Sequence, residues 1–436
     1  CVTVVSWRTS VQRLREALRL LPVLVLAGSA EAGLDLRLKT FATLSDLPAD
    51  DALGSIAGDP VQDTAFDLRT LFKSEYGAWQ FTVDHTVYAI TGDTAGRSVA
   101  AGARLGGTPD EDAERLLDLT WQIGSGDDSY AVHRLDRLAA DYRGTDWGLS
   151  VGRRAVSWGS GIVFQPLDLF APFAPTTVDR DYKPGEDMIL VDRLFASGAD
   201  VQALAVFRRD QEGRADADAG SLGIKWHRPL GAGEVEVVLG EHVDDRVLGG
   251  SLRVPVGQAM LRGDVLHART DDGRDYWSAV LNMDISFMVG ARNVITFAEL
   301  FRNGFGIAND QPDLLALPER LRSRLERGEV FSLQRHYLAL GATVEWHALV
   351  NQHVTVIQSL DDGSALLQAE LRFAPTDAVR VDAGVLVTDG ARGYEFGALP
   401  LVDPALAPPA DAWHQAPTAG GERSLYLRLV WFGRLR

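Results

Sequence analysis

Apolar and polar residues alternate one for one through most of this chain. Trp277, Ala279, Leu281, Met283, Ile285 and Phe287 interleave with Ser278, Asn282, Asp284 and Ser286. Leu425, Leu427, Leu429 and Trp431 interleave with Tyr426 and Arg428, and the same pattern runs through 34–39, 79–87 and 379–388. A period of two gives an extended strand one apolar and one polar face. The runs 78–90, 276–289 and 332–346 reach the roughly 9–11 residues that a membrane-crossing strand needs, beyond the about 5–6 of an average soluble strand. No run after residue 32 is apolar for long enough to cross a bilayer as a helix.

Eighteen such segments can be read, among them 146–158, 219–228 and 332–346. The gaps between them fall into two sets. Tight gaps at Tyr76-Gly77, Gly144-Thr145, Ser197-Gly198-Ala199, Gly290-Ala291-Arg292 and Pro375-Thr376-Asp377 stand at even positions in chain order. The long gaps 42–63, 91–129, 159–187, 303–331 and 388–422 all stand at odd positions. Long loops at one end and tight turns at the other are the asymmetry of outer-membrane barrels, with the long loops extracellular and the turns periplasmic. The expectation is therefore an all-β fold: a transmembrane antiparallel up-and-down β-barrel of about 18 strands, with 16 as the alternative count and both termini periplasmic. A propeller or solenoid would show a fixed repeat, and a sandwich would not sort its loops by length. Trp79, Trp147, Trp158, Trp277, Trp346 and Trp431 stand near segment ends, where an aromatic girdle belongs.

Residues 1–32 read as a cleaved signal peptide. Arg13, Arg15 and Arg19 precede the apolar stretch 20–30, and Ala30-Glu31-Ala32 makes a cleavage site. Residues 33–436 then form one barrel domain. The single cysteine, Cys1, precedes the apolar stretch and would leave with it, so disulfides and cysteine metal sites are excluded. No cofactor or metal is expected. A net charge of −17 argues against nucleic acid. The expected partners are outer-membrane lipid and lipopolysaccharide, the barrel assembly machinery, and a small-molecule or polymer substrate.

In a barrel the polar face lines the lumen. The clean strands turn Arg37, Lys39, Arg69, Asp84, Asp284, Arg372, Arg380, Asp382 and Arg428 inward, together with Asp35, Asp67, Lys73, Glu75, Arg262, Asp264, Arg335, Glu345 and Glu370. Nine of these are acidic and nine basic. Such a lumen is a ladder of cross-strand salt bridges, a hydrated pore with a transverse field, or both. The acidic excess sits in loops. Residues 109–118 carry Asp110, Glu111, Asp112, Glu114 and Asp118 against Arg115, as a solvated loop helix or a site where divalent cations bridge to lipopolysaccharide.

The most distinctive segment is 151–187. After Gly152-Arg153-Arg154 and Ser157-Trp158-Gly159 come Pro166, Pro172, Pro175 and Pro184 with Phe164, Phe170 and Phe173. Then follow Asp179, Arg180, Asp181, Lys183, Glu186 and Asp187. A loop this long and apolar must pack somewhere, either over the rim or inside the barrel mouth, where it would narrow the pore. Alternation from Leu149 and Val151 puts Arg153 toward lipid, to snorkel to headgroups or turn inward at a bulge. It puts Arg154 inward, where it would pair with Asp168, Asp179, Asp181, Glu186 or Asp187 and pin loop 159–187 as a constriction.

The stretch from Gly152-Arg153-Arg154 to Ser157-Trp158-Gly159-Ser160-Gly161, followed by Pro166-Leu167-Asp168-Leu169-Phe170, resembles the G-R-Q-x-x-x-W-G segment of porin-like outer-membrane proteins. Glu299-Leu300-Phe301-Arg302-Asn303-Gly304 and Asp361-Asp362-Gly363-Ser364 resemble strand ends of such barrels. The resemblance covers much of 145–390 in pattern. Porins typically end in Phe; here Trp431 or Phe432, with a short overhang, would serve as the assembly signal. The resemblance implies passage of small solutes or export of a polymer. There is no G-x-S-x-G and no H-E-x-x-H, so no catalytic residues are expected and the chain reads as a channel rather than an enzyme. The alternatives are a non-conducting surface scaffold or adhesin, and then an outer-membrane hydrolase.

Overall fold

A computed structural model describes residues 33–51, 54, 59–93, 95, 112, 114–210, 212–308, 317–400 and 418–435. The expected signal peptide, 1–32, lies outside the described residues, as do Asp110 and Glu111.

The first strands are β1 (Gly33–Asp46), β2 (Val61–Tyr76), β3 (Trp79–Gly92), β4 (Thr120–Ser125), β5 (Ser129–Arg143), β6 (Trp147–Arg154) and β7 (Glu186–Leu194). Next come β8 (Asp200–Arg209), β9 (Ala215–Leu230), β10 (Gly233–His242), β11 (Asp245–Val256), β12 (Ala259–Arg269), β13 (Asp275–Val289) and β14 (Arg292–Arg302). A helix, α1 (Glu319–Glu326), precedes β15 (His336–His347), β16 (Val350–Ser359), β17 (Ala365–Thr376) and β18 (Val379–Asp389). A small pair, β19 (Leu399–Pro400) and β20 (Thr418–Ala419), leads to β21 (Arg423–Leu435). The long strands pair antiparallel with their neighbours, and β21 pairs back onto β1 with Trp431 opposite Leu38. The result is a closed barrel of 18 wall strands, with β4 as an extra strand.

The barrel is inside-out relative to a water-soluble protein. Its outer face carries exposed Leu281, Leu300, Leu340, Leu371, Leu427 and Trp431. Its buried set includes Asn282, Glu299, Asp382 and Arg428. Apolar area left facing outward over every strand costs roughly 25 cal/mol per Å² in water, and that cost vanishes in hydrocarbon. Two-residue turns at Gly257 and Gly290, with φ of 64° and 63°, set the register of the hairpins they close.

Three expected strands change at their ends. Segment 146–158 stops at Arg154, and Trp158 leaves the wall to lie 4 % exposed in an apolar cluster rather than in a girdle. Segment 332–346 starts only at His336, because carboxylates take the preceding backbone. Leu333 and Gln334 N–H donate to Glu395, and Arg335 N–H donates to Asp361. Segment 219–228 extends to Ala215–Leu230.

The early end of β6 leaves the edge of β5 unpaired above Leu138, since the β5–β6 ladder covers only 138–143. Strand β4 fills that edge, pairing Thr120 with Arg134 and Ser125 with Tyr130. Just before it, Arg115 bridges to Arg208 of β8, and Arg209 N–H donates to the Glu114 carbonyl at 2.8 Å. Over the described residues of 109–118 the expected loop helix is therefore replaced by a turn at Asp112, bends and the Arg115 bridge, which lead into β4.

Candidate functional site

Glycines mark where the chain leaves the wall. Gly152 has φ of 117°, and a Cβ there would lie 2.1 Å from the Leu138 carbonyl oxygen. A Cβ on Gly161 would lie 1.8 Å from the Phe164 carbonyl oxygen. Only glycine fits either backbone. Between Arg154 and Glu186 the chain then makes contacts with strands spaced all around the wall, so its path runs across the interior.

Its first half is seated by backbone hydrogen bonds and apolar packing. The Glu299 carboxylate on β14 accepts N–H from Ile162 at 2.7 Å, Val163 at 3.0 Å and Phe164 at 2.7 Å. Asp264 on β12 accepts N–H from Ser160 at 2.7 Å and Gly161 at 3.1 Å, and the Ser160 hydroxyl at 2.6 Å. Trp158 and Phe170 pack on Met188, Leu190, Leu204, Val206 and Val238. Phe164 stacks on Phe301 at 4.4 Å, and Leu167 packs with Val247, Leu266 and α1 Leu321.

Its second half is seated by charge. Asp179 accepts from Lys39 and, at 3.3 Å, from Arg428. Asp181 accepts from Arg380, which also reaches Asp382 at 3.0 Å. The Tyr182 ring lies 3.6 Å from the Arg69 guanidinium carbon and 4.5 Å from that of Arg137, and its hydroxyl donates to Asp84. Burial would raise the Asp181 carboxyl, but Arg380, Lys39 and Arg428 together hold it below its ordinary range. Burial, with Asp84 alongside, holds the Tyr182 hydroxyl above its ordinary value, which keeps it a donor. Within the segment, Lys183 donates to both oxygens of Asp168 at 2.6 Å. Burial raises the Asp168 carboxyl and lowers the Lys183 ammonium.

The wall beneath forms a network. Arg428 meets Asp382 at 2.7 Å and Glu370 at 3.5 Å, Arg372 meets Glu370 at 3.0 Å, and Arg262 meets Asp284. Arg37 lies 5.1 Å from the Phe432 ring. Arg180 makes its hydrogen bonds to backbone carbonyls, the shortest to Pro175 at 2.8 Å.

The two arginines of the motif take other partners than expected. Arg154 donates to Asp141 of β5 and to Ser150 at 2.9 Å, within the wall, and not to the segment it was expected to pin. Arg153 does share a face with exposed Trp147 and Val151, yet it is 2 % exposed. Asp112 and residues 114–119 cover it at that height. It donates to Asp112 at 2.7 Å, to Asp187 at 2.9 Å and to the Leu117 carbonyl at 2.6 Å. Asp112 and the Leu117 carbonyl, in the chain leading to β4, and Asp187 on β7 satisfy this guanidinium. Burial would raise the Asp112 carboxyl, but Thr120, Arg153 and Arg115 hold it below its ordinary value. Glu186 and Asp187 belong to β7, not the loop, with Glu186 at 3.4 Å from Arg208.

Asp264 reads from the sequence as facing the lumen but not as an anchor, and Glu299 only as part of a strand end. The signal was in β14, where Phe297, Glu299 and Phe301 face inward, so that both faces of one strand carry apolar groups. That pattern calls for an interior packing partner. Two of the motif-bearing stretches, 152–170 and 299–304, thus meet in space.

This architecture is a porin-like fold, a large closed antiparallel β-barrel of 18 wall strands with an apolar outer face. The comparisons agree on the fold. The chain is similar to Acinetobacter baumannii OccAB3, with 12% identity, TM-score 0.52, and coverage of 93% of this chain and 100% of that one. It is similar to Pseudomonas aeruginosa OpdK, solved with vanillate, with 13% identity, TM-score 0.52, and coverage of 93% and 99%. Pseudomonas aeruginosa OccK5 (OpdH) matches with 10% identity, TM-score 0.52, and coverage of 93% and 98%. No family model and no curated protein sequence matches the chain.

Proposed function

We propose that the chain is a passive outer-membrane channel for small solutes, with residues 155–185 as its constriction and both termini in the periplasm. The observation that carries this reading is the tethering of one loop to strands on opposite sides of the interior, Glu299 and Asp264 on one side and Lys39, Asp84, Arg380 and Arg428 on the other. A surface scaffold needs a closed wall but no such internal loop. The inward residues Arg37, Lys39, Arg69, Asp84, Asp284, Arg372, Arg380, Asp382 and Arg428 then line the pore, and exposed Arg180 is one cation available to meet an anionic solute. The solute named with OpdK, vanillate, is a reasonable first compound to try.

A second reading has its own support. The network around Arg428, Asp382 and Asp179 neutralises much of the interior charge, as a sealed scaffold would. Purified protein in a planar bilayer separates the two: discrete current steps support the channel, and a folded but silent barrel supports the scaffold. For orientation, Asp271→Cys should react with an impermeant maleimide on intact cells and Asp377→Cys should not. The opposite labelling would reverse the termini.

A further inference from the structure

A recess lies between the apolar half of the inward segment and the chain that follows β14. Phe164, Leu169, Phe173, Phe301, Phe305 and Phe331 line it. The charged side chains at its edge are mostly spent on one another. Arg324 donates to Asp245 Oδ2 and sits 3.7 Å from the Phe305 ring; His242 Nε2 lies 3.1 Å from Glu329; Asp168 is held by Lys183. One acceptor is left over. Asp245 lines the recess at 3 % exposed, and its Oδ1 has no hydrogen-bond partner. Buried acceptors are rarely left unmade, because the loss of water is then uncompensated.

We propose that this recess is a binding site for a small uncharged ring compound carrying an O–H or N–H donor. The ring sits among the phenylalanines, where aromatic faces and edges favour another ring. The donor goes to Asp245 Oδ1. The free carboxylate oxygen selects against carboxylates, which would meet like charge beside an apolar wall. The site stands apart from the Lys39, Arg380 and Arg428 network. Occupancy needs no conduction, so it holds or fails separately from the channel reading.

The test is equilibrium binding to the detergent-solubilised full barrel, by titration calorimetry, with phenol as probe. Toluene serves as the ring without a donor and benzoate as the ring with a carboxylate. Phenol is expected to bind saturably, at least tenfold more tightly than either. In Asp245→Asn, Arg324 keeps the side-chain oxygen and the amide nitrogen replaces the free acceptor, so phenol should weaken about tenfold while toluene does not change. Phe331→Ala, at an exposed rim position, should weaken phenol and toluene alike. If Asp245→Asn fails to fold, the phenol-to-toluene ratio in the native barrel and the Phe331→Ala result still decide. Absence of saturable phenol binding, equal phenol and toluene affinities, or phenol binding unchanged in Asp245→Asn would each overturn the site.

Discussion

The two halves of the inward segment are held in different ways. Residues 158–170 present apolar side chains and bare N–H groups to one side of the barrel, and buried Glu299 and Asp264 collect the N–H groups. Residues 179–182 present carboxylates and a phenol to the other side, where Lys39, Arg69, Arg380 and Arg428 receive them. Burying side chains such as Phe164 and Leu167 stabilises by roughly 1.5–3 kcal/mol each and is nearly blind to salt. Partly exposed ion pairs contribute about 0–1 kcal/mol each and weaken with salt. One half therefore acts as an anchor, and the other as an adjustable tether facing the charged wall.

The largest effect is expected at the anchor. Glu299→Ala strips one carboxylate from three buried N–H groups, at roughly 1–3 kcal/mol each. Single-channel conductance should rise several-fold, with Glu299→Gln between the two. Conductance equal to that of the native barrel in both variants would break the contrast.

Arg153→Ala sharpens it from outside. Removing this guanidinium leaves buried Asp187 without its ion pair and Asp112 with Arg115 alone, a loss of up to about 3–5 kcal/mol. The melting temperature should fall with little change in conductance, because the damage lies in the wall patch and not in the segment. A conductance jump as large as that of Glu299→Ala would merge the two roles.

Smaller changes belong to the tether. Asp181→Asn should raise open-channel noise at about 0.1 M salt and much less at 1 M, where the screening length shrinks from roughly 10 Å to 3 Å. The pH dependence follows from the lowered carboxyl of Asp181. A depressed folded value means that its stabilisation is full above the ordinary carboxylate range and is lost as pH falls through the folded value. Noise should stay flat from pH 7 to 5 and climb only under stronger acid. The smallest effect is expected from Arg154→Ala, whose partners Asp141 and Ser150 both lie in the wall. Conductance within error of the native value checks this.

Strand count and loop sorting were readable because period-two alternation and turn glycines are local properties of the chain. That loop 159–187 must pack inside or over the rim was readable from its proline and phenylalanine content. What it would rest on was not. Glu299 sits between two inward phenylalanines, so β14 shows no clean polar face until the segment that packs on it is known. The pairing of Arg153 with Asp112 joins residues 41 apart in sequence and exists only because β6 stops early and leaves an edge for β4 to fill. Alternation assigned Arg153 the correct face. It could not report that another loop covers that face.

The central claim is that residues 155–185 narrow a conducting pore. Its most direct test is single-channel recording in a planar bilayer of the native barrel beside a variant lacking residues 164–176, both checked for a folded barrel by heat-modifiable gel mobility. Discrete steps are expected for the native protein and clearly larger steps for the deletion. Identical steps, or silence from both folded proteins, would contradict it.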